Sequence, residues 1–269
     1  MRPRIVSAVA LAPLPVVAIW FDGPWLALLT GIAGAIMAWE WVRLCHGALT
    51  DRFAPGPAEI GLVAIVVAAV AIAALGAVRE GIAVAFLGAG LVFWAARQRP
   101  DGKPAWAALG ELWVALPCVC LLWLARDEDG GRATLLWMMA VVWATDIGAY
   151  AVGRGVGGPR LAPRWSPRKT WSGFAGGMLC AALVGGASAL ILGVSRVLPL
   201  VLVSAGLAVV AQFGDLAESL AKRRFGVKDT SGLIPGHGGL LDRLDGLLAV
   251  IPAVALMTQI GGRSVLTWQ

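Results

Sequence analysis

Residues 228–246, KDTSGLIPGHGGLLDRLDG, crowd Asp229, Asp242, Asp245, His237, Lys228, Arg243 and five glycines into nineteen positions. Just upstream, QFGDLAESLAKRR supplies Asp215, Ser219 and Lys222 at i, i+4 and i+7, one face of a helix, with Glu218 beside it. Asp242 and Asp245 are i, i+3 neighbours on the helix that follows, and Arg243 points elsewhere. Nearby carboxylates repel unless positive charge lies between them. Mg²⁺, which takes one or two carboxylates together with water and phosphate oxygens, satisfies that need. A salt-bridge network is the alternative, because residues 215–245 hold five cations, including Arg223 and Arg224, against five acids. Gly238 and Gly239 precede a helix start, where backbone N–H groups can approach an anion, although turn residues would look the same. His237 reads as a hydrogen-bond donor to phosphate or backbone and not as a nucleophile.

The elements that must position these residues are membrane helices. Of 269 residues, 59% are hydrophobic and 14% charged, with a mean hydropathy of +0.79. A soluble domain carries about 25% charged residues. Spans need about 20 mostly apolar residues, and nine runs qualify, near 4–21, 25–44, 58–78, 81–97, 105–125, 133–153, 173–195, 197–220 and 240–260. The expected fold is an all-α polytopic bundle of about nine transmembrane helices. It forms a single transmembrane domain over 1–269, with N-terminal spans in 1–132 and catalytic spans and loops in 133–261. The first run, behind Arg2 and Arg4, mimics a signal peptide, but the spans that follow favour an uncleaved helix. Cys45, Cys118, Cys120 and Cys180 sit in or beside apolar runs and read as small hydrophobes.

With a cytoplasmic N-terminus and alternating spans, seventeen of the 22 Lys and Arg residues fall inside. Arg79, Arg126, Arg132, Arg196 and Arg263 fall outside. The net charge of +6 is therefore topology, and no nucleic-acid partner is implied. Two inner loops stand out, 154–171 with five cations and no acid, and 221–239. Acids in apolar runs must face protein, a cavity or a partner. Glu40 and Glu111 read equally well as packing and as functional groups, whereas Asp146, Asp215, Asp242 and Asp245 lie at the ends of spans flanking the two loops. GRGVGG (153–158) fits a dinucleotide fingerprint, but an apolar helix, not a strand, precedes it, and no Walker-type P-loop or nucleophile elbow exists.

SLAKRRFGVKDTSGLIPGHGGLLDRLD (219–245) closely resembles the signature of the phosphatidate cytidylyltransferase (CDP-diacylglycerol synthase) family. The match covers Ser219, Lys222, Arg223, Lys228, Asp229, Pro235, His237, Gly238, Gly239, Asp242, Arg243 and Asp245; Ala221 departs, where a larger aliphatic is usual. DIGAYAVGR and SPRKTWSG resemble two further family segments, with Ser172 where the family usually has Glu. The likeness is strong over roughly 140–260. It implies transfer of a cytidylyl group from CTP to phosphatidic acid, with Mg²⁺ on Asp215 and Asp242. Lys222, Arg223, Lys228 and Arg243 would neutralise the triphosphate or leaving pyrophosphate, and Ser166, Lys169 and Thr170 would close the site. Asp146 and Asp245 would hold a second cation or orient the basic residues. The implied setting is a bacterial inner (plasma) membrane with the site facing the cytoplasm, and a homodimer stays open. A CTP-dependent polyprenol kinase and a cation-coupled transporter are the rival readings.

Overall fold

The computed structural model describes residues 13–46, 56–100, 102–128, 130–194, 196–234 and 238–267. Nine α-helices fall among them: α1 (Pro13–Phe21), α2 (Gly23–His46), α3 (Pro57–Ala74), α4 (Val78–Arg97), α5 (Pro104–Ala125), α6 (Gly131–Gly155), α7 (Trp171–Ile191), α8 (Val197–Arg224) and α9 (Leu241–Gly261). Between α6 and α7 lie two strands, β1 (Arg160–Ala162) and β2 (Ser166–Thr170), paired antiparallel. The sequence alone predicts a loop over this stretch. Each of the nine apolar runs meets a helix, although the first is described only from Pro13 onward.

Seven of these helices, α2 and α4–α9, are long and apolar enough to cross a bilayer, whereas α3 contributes a shorter apolar helix. Their outward surfaces are what lipid requires: Leu87, Ile147, Leu183, Leu202 and Leu256 are all well exposed. The chain is a polytopic membrane helix bundle. At 1.5 Å per residue, the 28 residues of α8 reach about 42 Å, longer than a hydrocarbon core of about 30 Å. It therefore has length to spare, and its last turn carries Lys222, Arg223 and Arg224.

The helices fall into two compact units, one of Met1–Trp123 with Ala221–Leu244, the other of Leu124–Leu220 with Asp245–Gln269. In the first, α2 meets α3 and α5 where Gly34 lies against Val66 and Cys118, and α3 meets α4 where Gly81 lies against the Ala69 carbonyl. Trp41 on α2 donates its indole N–H to the Trp106 carbonyl of α5 at 2.8 Å. Arg99 is paired with Glu59 at 2.7 Å.

In the second unit, α6 and α7 touch backbone to backbone, because Gly148, Gly153, Gly173 and Gly176 carry no side chain between them. Small residues at such contacts are how helices associate in lipid, where no hydrophobic force drives them together. Ser204 of α8 accepts the Trp137 indole N–H at 3.1 Å, and Thr134 shares a hydrogen bond with Ser264 at 2.8 Å. The four cysteines are free.

Candidate functional site

Each unit builds one cluster of the residues singled out in the sequence. In the second unit the cluster begins on β2. The strand ends at Thr170, whose hydroxyl accepts the Gly173 N–H and so caps α7. One residue earlier, Lys169 reaches α8, where its ammonium lies 2.5 Å from Asp215 Oδ2 and 3.4 Å from the Gln212 carbonyl. Asp215 Oδ1 accepts from Ser219 at 3.3 Å, so the i, i+4 face expected of α8 forms. Gln212, one turn before Asp215, is tied down in turn: its amide donates to the Phe174 and Ala208 carbonyls. Ser172 donates to the Gly157 carbonyl and shares a hydrogen bond with Thr170, which fastens the hairpin to α7.

The first unit builds the other cluster, and it is buried. Lys222 donates to Asp242 Oδ1 at 2.7 Å. Asp242 Oδ2 accepts three hydrogen bonds, from the Thr230 N–H and hydroxyl, both at 2.9 Å, and from the Gly239 N–H at 2.8 Å. A carboxylate has about four acceptor positions, and Asp242 fills them unevenly, three donors on one oxygen and the lysine on the other. Gly238 has φ +87°, and a Cβ there would lie 2.7 Å from Asp242 Oδ2, so two separate reasons require glycine at this corner. Ile234 N–H closes the corner on the Gly238 carbonyl at 2.8 Å.

The remaining amides at the start of α9 are also taken. Glu40, on α2 and 1% exposed, accepts from Leu240 N at 3.0 Å, Leu241 N at 2.7 Å and the Ser231 hydroxyl at 2.6 Å. A phosphate at this helix start would have to displace Glu40 or Asp242. Glu111, read from sequence on the same footing as Glu40, is equally buried, yet neither of its oxygens meets a hydrogen-bond partner among the described residues. Ahead of the corner, Lys103 caps the Cys45 carbonyl at 2.6 Å and lies 4.6 Å over the Phe225 ring, which stands edge-on to Trp106 at 5.2 Å. This contact fixes where the chain leaves α8.

Arg223, Lys228, Asp229 and Arg243 are exposed, as is Asp146 on α6. Asp245 accepts its neighbour Gly246 N–H at 2.7 Å, and Ser166 opens β2 half-buried. Pro235 and His237 lie outside the described residues. Sequence reasoning singled out neither Thr230, Ser231 nor Gln212. Glu40 carried one signal, an acid stranded in an apolar run, but nothing local named its partners.

The two aspartates assigned to a metal each already carry a counter-charge, a lysine of their own. Only the Lys222–Asp242 pair belongs to the salt-bridge alternative read within 215–245, because Lys169 comes from outside that segment. Among the described residues Asp242 Oδ1 accepts from the Lys222 ammonium alone, while Oδ2 is anchored by three donors, and Asp215 is about a third exposed. Each aspartate thus has a hard oxygen that an ion could take from a lysine. Among the described residues no three acidic, histidine or cysteine side chains gather into a ready-made cage. Such a site would rely on water and phosphate oxygens, as Mg²⁺ sites do. Each aspartate, taken by itself, offers the kind of oxygen donor that Mg²⁺ takes. The fingerprint-like GRGVGG, by contrast, begins in the last turn of α6 and follows no strand.

Comparison with known proteins agrees with the signature. The phosphatidate cytidylyltransferase of Brucella suis biovar 1 is 37% identical over 273 residues, covering 97% of this chain and 93% of the relative. The Pseudomonas aeruginosa phosphatidate cytidylyltransferase is 35% identical over 276 residues, 97% and 98% of the two chains. The Haemophilus influenzae enzyme of that name is 41% identical over 132 residues, 47% of this chain. Residues 2–261 match the Cytidylyltransferase family, so the signature read at 219–245 is one part of a likeness that runs through the N-terminal spans as well, and the chain belongs to that family.

Proposed function

We infer that the chain transfers the cytidylyl group of CTP to phosphatidic acid, giving CDP-diacylglycerol and pyrophosphate. The observation that carries this reading is the whole-length match to phosphatidate cytidylyltransferases. An oxygen of the lipid phosphate attacks the α-phosphorus of CTP, the bond from that phosphorus to the bridging oxygen breaks, and pyrophosphate leaves. The attacking phosphate is already ionised near neutral pH, so no general base is needed. The work lies in bringing two polyanions together and neutralising the charge on the leaving group.

The residues supply that work in different ways. Lys169 and Lys222 are the partners of the aspartates; the Lys169 ammonium can swing from its carboxylate to a phosphate oxygen, whereas Lys222 is buried against Asp242. Arg223, Lys228 and Arg243 are exposed cations on or beside the same helices and would meet the triphosphate. Ser219 steadies Asp215, Thr230 and Gly239 steady Asp242, and Thr170 fixes the strand that carries Lys169. Gly238 and Gly239 allow the close turn onto Asp242. Asp229, Asp245, Asp146 and Ser166 would orient these cations, with His237 a donor to phosphate.

Asp215 and Asp242 would hold Mg²⁺, which when bound supplies charge to the triphosphate oxygens; a second cation would lie toward Asp146 and Asp245. The placement in a plasma membrane, with N-terminus and site cytoplasmic, rests on the Lys and Arg bias and on the bacterial relatives. The test is pyrophosphate release by purified protein in detergent. Release that requires CTP, phosphatidic acid and Mg²⁺ together is expected, and release without the lipid contradicts the reading. Sizing the same preparation tells a monomer from a homodimer.

A further inference from the structure

Resting on the transfer reaction inferred above, we propose that Glu40 is a positioning residue: it holds the start of α9 and the adjoining corner so that Asp242 keeps one oxygen, Oδ1, turned toward Lys222.

A helix begins with N–H groups that have no partner inside the helix. At α9 two carboxylates divide them. Asp242 takes the Gly239 N–H, and Glu40 takes those of Leu240 and Leu241, from a position 200 and 201 residues earlier in the chain. The same two carboxylates grip successive residues of the incoming loop. Asp242 binds Thr230 through its N–H and hydroxyl, and Glu40 binds the Ser231 hydroxyl at 2.6 Å. Gly239 lies between the grips, where a Cβ would stand 2.6 Å from Glu40 Oε1.

This division is what leaves Asp242 unevenly loaded. Without Glu40, the Leu240 and Leu241 N–H groups lose their acceptor and compete for Asp242, the other carboxylate at this helix start. Asp242 then turns toward them, and the oxygen facing Lys222 is no longer fixed. Burial sharpens the competition, since an unpaired N–H away from water is costly. Glu40 acts through Asp242.

Glu40→Gln tests this in the full-length protein in detergent, with CTP, phosphatidic acid and Mg²⁺. The substituted amide can accept through only one of its two ends, so at least one backbone N–H faces another donor. Removing the support of a functional carboxylate is expected to lower kcat by about 10- to 100-fold, while the KM for phosphatidic acid stays within about twofold. In the same folded protein, trypsin should cut after Lys228 faster than in the parent, because the hold on Ser231 is released. A folded Glu40→Gln protein with parental kcat and parental cleavage overturns the proposal, and so does one that only melts earlier. Should Glu40→Gln fail to fold, Ser231→Ala decides in its place. A lower kcat with faster cleavage supports the proposal, and parental values of both overturn it. A parent protein that transfers no cytidylyl group would sink the functional reading, and the trypsin comparison would then decide this inference by itself.

Discussion

Two lysine–aspartate pairs, built from the same residue types, are held in opposite ways. Lys169 and Asp215 are 23% and 34% exposed, and among the described residues the aspartate's further hydrogen bond comes from Ser219 at 3.3 Å. Lys222 and Asp242 are 11% and 2% exposed, and the aspartate accepts three further hydrogen bonds. An exposed pair is worth little to folding and can open cheaply. A buried one punishes the loss of either partner, because a charge is left without compensation. The first pair can therefore exchange its partner for a substrate phosphate at small cost. The second is a fixed post, with a single oxygen available.

The largest effect separates the pairs most cleanly. Asp242→Asn leaves the Lys222 ammonium facing an amide and should cost about 3–5 kcal/mol of stability. Cytidylyl transfer should be lost in the fraction that remains folded. Thermal melting and turnover on one preparation check both, and full activity would remove Asp242 from the site. Asp215→Asn should also abolish most transfer while changing stability by no more than about 1 kcal/mol. A melting shift as large as that of Asp242→Asn would erase the contrast between the pairs.

Smaller changes sharpen it. Lys169→Met should leave melting nearly unchanged and raise the KM for a substrate phosphate, read from saturation curves for CTP and phosphatidic acid. Thr230→Val removes one hydroxyl from Asp242 Oδ2 and should cost about 1 kcal/mol, with a loss of turnover well below that of Asp242→Asn. Thr170→Ala removes the cap of α7, again about 1 kcal/mol, and should have the mildest effect on turnover, since Lys169 still reaches Asp215 from the same strand.

How much of this was legible in sequence depended on distance along the chain. The apolar runs became helices because a bilayer leaves a backbone few other choices. The Asp215–Ser219 contact followed from helical spacing alone. The hairpin at 160–170 looks like a loop in sequence, since its cation-rich strands show no alternation of apolar residues. The partners of the acids were harder still. Lys169 lies 46 positions before Asp215, and Lys222 lies 20 before Asp242, so spacing could find the carboxylates but not choose their counter-charges. Glu40 and Glu111 looked alike as solitary acids in apolar runs. Only the fold, which brings α2 to the start of α9, makes Glu40 a cap and leaves Glu111 without one.

The most direct test of the central claim uses purified protein, phosphatidic acid, Mg²⁺ and CTP carrying one label on the base and another on the γ-phosphate. The account predicts that the base label enters the organic phase with the lipid while the γ-label leaves as pyrophosphate. Movement of the γ-label into lipid, with the base left in water, would contradict it and identify a kinase instead.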